Sequence, residues 1–255
     1  QKGWTKRPLF VVPKSTITAT WLATLQEMFP TLNINNLEGL QAPVIARLMR
    51  EKGADKTKWI QDGELSVISH EGILRLGLKE DELRQAVGDL KDALWVEPKT
   101  KRAGEKTKSV YDEIAGNAQK YVTNTMISDL GFDHISVDEV HNFRKVFQGA
   151  KAENVDDKGN NLGGKKRYSN ILGGTPSRRA QQLFLLSQYI QKNNNNRNVF
   201  LASATPFENH ATEVYNILSF IARDRMKAMG IMNINDFFAS FANFEVELDR
   251  KLDGE

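Results

Sequence analysis

Asp138 and Glu139 stand side by side at the end of a short apolar run, Ile135-Ser-Val-Asp-Glu-Val-His-Asn142. A carboxylate at a rigid strand end is a hard oxygen donor, suited to Mg²⁺ held through water. A second carboxylate beside it can orient and deprotonate a water. Together they suit phosphoryl transfer, where catalysis is mostly positioning and charge neutralisation. The same pair fits a solvated, inert strand end, and only a phosphate cradle would separate the two cases. His141 is either a satisfied imidazole or a group that couples the acidic pair to a second, hydroxyl-rich turn. Such a turn lies downstream in Asn198-Val-Phe-Leu-Ala-Ser-Ala-Thr-Pro206, where an apolar run empties into Ser203 and Thr205. These hydroxyls either form a local turn before a helix or bridge to the acidic turn.

The elements that must position these groups follow from periodicity. Apolar runs over 9–12, 33–37, 65–68 and 199–202 read as strands, the first stopped by Pro13. Ser15 or Thr16 can cap a helix through Phe29, with Ile17, Trp21, Leu22, Leu25 and Met28 on one face. Further helical patterns cover 44–50, 79–94 and 108–129, with a charged linker over 97–108. Thr175-Pro176 supplies a cap and a first-turn proline for a helix to Lys192, and helices over 210–221 and 234–244 close the chain. Residues 142–174 are rich in Gly, Asn and Lys, and Asn193 to Asn196 form a polar loop. Apolar strands alternating with helices predict a parallel α/β sheet, and no internal repeat is visible.

Composition narrows the setting. With 255 residues the chain can bury a sizeable core, and 40% hydrophobic with 26% charged residues places it among globular proteins. The 35 Lys and Arg against 32 Asp and Glu leave a net charge of +3, so nucleic-acid binding would need a local basic surface. With no cysteine, disulfides and thiolate metal sites are excluded, which suits a reducing cytoplasm. No apolar run approaches the ~20 residues that span a bilayer, and the first residues lack a signal-peptide core, so no membrane partner is expected. The chain opens on Gln1 rather than methionine, as a piece of a longer polypeptide would.

The motifs taken together carry a resemblance. Asp138-Glu-Val-His141 resembles the DExH box of superfamily-two helicases and translocases, and Ser203-Ala-Thr205 resembles their third motif. Leu9-Phe-Val-Val-Pro-Lys-Ser15, with Trp21, is similar to the segment that family places after its nucleotide loop. Glu64-Leu-Ser-Val-Ile-Ser-His-Glu71 occupies the place of the next one. Ala204-Thr-Pro-Phe-Glu-Asn209, Glu213-Val-Tyr-Asn-Ile-Leu218 and Asp236-Phe-Phe-Ala-Ser-Phe241 resemble the Swi/Snf-type branch. The 142–174 insert and the 178–192 helix look most like the large helicase or helicase–methylase proteins of phages and conjugative elements. The resemblance covers nearly the whole chain, and its specific blocks are the DExH and SAT motifs.

The resemblance implies an α/β fold of P-loop NTPase type: a RecA-like parallel sheet with helices on both faces, lacking its nucleotide-loop strand. The whole chain, 1–255, would be part of a first motor lobe, with a helical insertion about 79–130 and a flexible insert about 142–174. Asp138 then holds Mg²⁺ through water, Glu139 and His141 complete the catalytic set, and Ser203 and Thr205 couple it. Lys14, Ser15, Thr16, Ser69 and His70 become contacts to a nucleic-acid backbone, a sequence-independent grip suited to a tracking motor. ATP and Mg²⁺ are the implied cofactors. Duplex DNA and a second RecA-like lobe of the same polypeptide are the implied partners, in the cytoplasm.

Two departures qualify this. The loop G-x-x-x-x-G-K-[ST] is absent before Leu9. Gly159-Asn-Asn-Leu-Gly-Gly164-Lys165-Lys166 nearly fits but has Lys166 at the hydroxyl position, no strand before it, and lies after the DExH box. Arg102-Ala-Gly-Glu-Lys-Thr107 fails because Glu105 stands where Lys is needed. The chain also ends before a second lobe with its arginine finger, so alone it is expected neither to hydrolyse ATP nor to translocate. Competing readings are the motor subunit of a restriction-modification system and a degenerate lobe kept as a DNA- or protein-binding module. Lys165, Lys166, Arg167, Arg178 and Arg179, with Tyr168, form either solvated surface or a DNA-facing patch. Phe237, Phe238, Phe241 and Phe244 read as core or lobe-packing surface.

Overall fold

The computed structural model describes residues 5–93, 116, 120–146, 177–206, 212–232 and 234–241, without the side chains of 87–93 and 235. Five strands form one parallel sheet in the order β2-β3-β1-β6-β7. They are β1 (Pro8–Val12), β2 (Ile34–Glu38), β3 (Leu65–Ser69), β6 (His134–Val137) and β7 (Val199–Leu201). A two-stranded parallel ribbon pairs β4 (Leu76–Gly77) with β5 (Thr125–Met126). The α/β expectation with a parallel sheet therefore holds. β1 is central because both its faces are apolar. Leu9 and Val11 join Ile135 and Val137 in the main core, while Val12 joins Leu65 and Val67 on the opposite side.

Helices cover both faces. The segment after β1 packs Ile17, Trp21 and Leu25 on the Val12 side, with Phe10 and Trp21 edge to face at 5.8 Å. It is composite: a 3-10 turn (Lys14–Thr16), a π segment (Ile17–Leu22) and α1 (Ala23–Met28). Neither Ser15 nor Thr16 provides the expected side-chain cap; the Thr16 hydroxyl donates to the Pro13 carbonyl at 2.9 Å. The main core is covered by α2 (Ala42–Lys52), α5 (Arg178–Asn193) and α6 (Thr212–Ile221).

The cap of α5 is Ser177, which accepts from the Ala180 N–H at 3.0 Å, so the helix begins after the expected Thr175-Pro176. Leu183, Phe184, Leu185 and Leu186 are all buried, so this helix is enclosed on every side. Two of its buried glutamines donate to backbone: Gln182 Nε2 to Leu76 O at 2.6 Å and Gln191 Nε2 to Ile221 O at 3.1 Å.

The helix expected over 108–129 needs correction. α3 (Glu80–Ala93) is present, but the second helix over 108–129 does not reach its expected end. Thr125 and Met126 are strand, followed by the short α4 (Ile127–Leu130). A short α7 (Arg223–Ala228), not anticipated, precedes α8 (Ile234–Phe241). Phe237 and Phe238 are buried, with Phe237 5.5 Å from Tyr215, whereas Phe241 is exposed and Phe244 lies outside the described residues. Among the described residues no helix is long and apolar enough to cross a membrane.

At the amino-terminal end of the sheet, Lys52 Nζ meets Glu64 Oε2 at 3.2 Å and Asn35 Oδ1 at 3.0 Å. Burial pushes the Glu64 carboxyl up. The Gln61 N–H, the Asn35 amide and Lys52 outweigh that and leave it below the usual glutamate range.

Candidate functional site

Because all five strands run the same way, their carboxyl ends lie at one edge of the sheet, where open α/β folds hold ligands. The Asp138 N–H still belongs to the ladder, donating to Val11 O at 2.9 Å. Glu139 then turns into the left-handed region (φ 50°, ψ 50°), uncommon for a residue with a β-carbon. Three bonds hold the turn: Asp138 Oδ1 accepts from Glu139 N at 2.9 Å, Glu139 O accepts from Asn142 N at 3.0 Å, and Val140 N donates to Ala202 O at 3.0 Å. The last of these ties the acidic turn to the end of β7. Asp138 is half-buried, and the Glu139 side chain is 41% exposed, accessible to a water.

His141 Nδ1 lies 3.1 Å from Glu139 Oε2 and 3.0 Å from Ser203 Oγ. The Ser203 contact is a hydrogen bond, and the Glu139 contact is a close approach of a carboxylate to the same ring edge. Ser203 Oγ in turn accepts from the Thr205 N–H at 3.1 Å. The structure thus brings Glu139, His141 and Ser203 together around one ring nitrogen. Thr205 joins it through its backbone; its side chain is exposed at the turn.

The residues assigned to nucleic-acid contact divide. Lys14 and Ser15 are exposed just beyond β1, on the edge of the sheet that carries Asp138. Thr16 is half-buried with its hydroxyl turned back to Pro13. Ser69 and His70 require correction, because their side chains are buried (0% and 3% exposed) and engaged internally. Ser69 Oγ accepts from Gly72 N at 2.9 Å. His70 Nε2 lies 2.9 Å from Asp138 O, and its ring stands edge-on to Phe143 at 4.8 Å. Desolvation holds His70 below its usual pKa, against the opposing pull of the Asp138 carbonyl. Neither side chain is available to a backbone phosphate.

Sequence reasoning missed the surrounding shell. Arg179 pairs with Glu71 at 2.9 Å and lies over the Phe143 ring at 5.4 Å. Arg144 pairs with the buried Glu213 at 3.1 Å, tying the end of the acidic turn to α6. Arg178 stands over Tyr121 at 5.7 Å. Arg178 and Arg179 are therefore engaged within the chain, while Lys165, Lys166, Arg167 and Tyr168 lie outside the described residues. Both near-miss glycine loops, 102–107 and 159–166, lie outside them too.

Over 139 residues the chain is 26% identical to a protein of Escherichia phage P1 named Defense against restriction protein B. That alignment covers 54% of this chain and 6% of the phage protein. The chain thus corresponds to a small part of that relative's length. No family model matches the chain, and no solved structure matches it.

The donor set decides which ion fits. Among the described residues no group of three or more His, Asp or Glu side chains could cage a metal. One carboxylate at a strand end suits Mg²⁺, which keeps several waters and shares phosphate oxygens, better than an ion needing an all-protein cage. Asp138 fits that role, with Oδ1 fixed by the Glu139 N–H.

Proposed function

We propose that this chain is part of the first, RecA-like motor lobe of an ATP-dependent, DNA-stimulated helicase or translocase of the DExH superfamily-two type, Swi/Snf-like branch. The observation that carries the reading is the His141 ring nitrogen lying 3.1 Å from Glu139 Oε2 and 3.0 Å from Ser203 Oγ. Two motifs far apart in sequence, each ambiguous alone, meet on adjacent strands in a geometry that can transmit movement from one to the other. Similarity over half the chain to a phage protein named for defence against restriction supports a mobile-element, DNA-directed setting. It also makes a restriction-linked motor the leading alternative.

Mg²⁺, held by Asp138 through water and by phosphate oxygens, would neutralise charge on the ATP phosphates. Glu139, its side chain 41% exposed, orients a water and accepts its proton. His141 restrains that carboxylate. Lys14 and Ser15 offer charge and hydroxyl to a nucleic-acid backbone. The phosphate cradle would come from a strand and loop outside the described residues, and the second lobe from elsewhere in the polypeptide.

The test is the ATPase rate of the whole protein with and without duplex DNA, beside Glu139→Gln. Stimulation by DNA, lost by about 10²–10⁴-fold in the variant, is expected for removal of a general base. Turnover that ignores Glu139→Gln would sink the reading, and a folded, nucleotide-inert protein would favour the binding module.

A further inference from the structure

Val11 pairs with Val137, so Asp138 stands opposite Val12, and its N–H donates to Val11 O at 2.9 Å. In a parallel ladder a residue bonded this way receives its return bond at the carbonyl from the N–H two positions along the neighbouring strand. That position is Pro13, which has no N–H. The Asp138 carbonyl therefore lacks its ladder donor just where the chain must leave the strand and turn left-handed at Glu139.

His70 stands in that place. Its own N–H donates to Val12 O at 3.0 Å, continuing the β1–β3 ladder, and its ring reaches over the end of β1 to Asp138 O at 2.9 Å. A carbonyl only accepts, so Nε2 carries the hydrogen. Phe143 walls the ring at 4.8 Å, and Arg179, paired with Glu71, lies over Phe143. The loop beneath cannot drift. A β-carbon on Gly72 would lie 2.6 Å from both Glu38 O and Ile68 Cγ1, and the Gly72 N–H is tied to Ser69 Oγ.

We propose that His70 is a positioning residue of the acidic pair: its Nε2–H replaces the donor that Pro13 withholds and fixes the peptide joining Asp138 to Glu139. The hydrogen bond stands on geometry alone, while its kinetic consequence rests on the ATPase reading above. Fixing one peptide matters because both carboxylates branch from its two ends. A displacement of about 1 Å at a reacting group can cost on the order of 10²-fold in rate.

The test pairs kinetics with a rescue. In the whole protein, His70→Phe keeps the ring and its packing but removes the donor. It is expected to lower DNA-stimulated kcat by about 10- to 100-fold while the KM for ATP stays within about twofold. Pro13→Ala in that background returns a backbone N–H to the ladder and should recover most of the loss; a residue that merely fills space would show no such rescue. An equal fall in kcat for single and double variants, both folded by circular dichroism, overturns the proposal. Should His70→Phe not fold, ¹⁵N–¹H correlation of the histidine rings in the unsubstituted 255-residue chain decides, with His70 assigned from His70→Gln. Hydrogen on Nε2 is required, and hydrogen on Nδ1 alone overturns the proposal. Absence of any Glu139-dependent turnover would remove the ATPase reading and leave the ring spectrum to judge the hydrogen bond.

Discussion

His141 Nδ1 is hydrogen-bonded to Ser203 Oγ at 3.0 Å and lies 3.1 Å from Glu139 Oε2, so the ring stands between the acidic turn and the hydroxyl turn. On the proposed reading, Glu139 swinging toward a water releases His141 to Ser203 and passes the change to β7. His141→Ala and Ser203→Ala should each lower DNA-stimulated kcat by about tenfold, and the double variant should be little worse than either. A double-mutant cycle in kcat measures this, and fully additive losses would show the two act separately. The four groups Asp138, Glu139, His141 and Ser203 were readable in sequence because each lies in a short contiguous motif. Ser69 and His70 were misjudged for a physical reason. Polar residues at a strand end usually face water, but here the proline that ends the neighbouring β1 leaves the Asp138 carbonyl without a ladder donor, and the buried His70 ring supplies one. That vacancy is visible only once the register is known.

At the scale of elements, the 69–72 loop and the amino-terminal end of β3 are the parts whose failure would be felt most. Gly72→Ala is expected to destabilise the fold by about 1–3 kcal/mol in urea unfolding, since its β-carbon would meet the Glu38 carbonyl and the inner Cγ1 of the buried Ile68. Glu64→Gln is expected to cost about 1–3 kcal/mol by weakening its bonds from Lys52, Asn35 and the Gln61 N–H. Because the Glu64 pKa is lowered on folding, its contribution is complete above the ordinary glutamate value. It is lost as pH falls through the lower folded value. Unfolding measured from neutral pH downward should therefore show an acid decline that is shallower in Glu64→Gln. The main-sheet strands and most of the longer helices were placed by apolar periodicity to within a few residues. The expected helix to residue 129 failed because β5 is two residues long and owes its state to pairing with Leu76 and Gly77, remote in sequence. The helical segment after Pro13 was found, but its π geometry was not, since a wider turn leaves no compositional mark.

Among the described residues the sheet is covered unevenly. On the face where Val12 and Val67 meet the first helical segment, β6 and β7 present His134, Ser136 and Phe200 instead, and Phe200 is 60% exposed. Among the described residues β7 pairs only with β6, leaving its outer edge free. A parallel strand added there would bring its following loop beside Ser203 and the acidic turn, where the proposed reading needs a phosphate cradle. Amide exchange of Val199 to Leu201 should then be fast in the 255-residue chain and slow in the whole protein, and equal exchange in both would argue against such a strand. The sequence by itself determined the alternation of strands and helices, the carboxylate pair at a strand end and the hydroxyl turn after another. Each depends on residues near one another in the chain, where periodicity and local chemistry operate. Only the tertiary structure decided strand order, the meeting of His141 with Ser203, and the burial of His70 against Asp138. Those contacts are set by the parallel register and the packing of the core, which join residues with no local signal of each other.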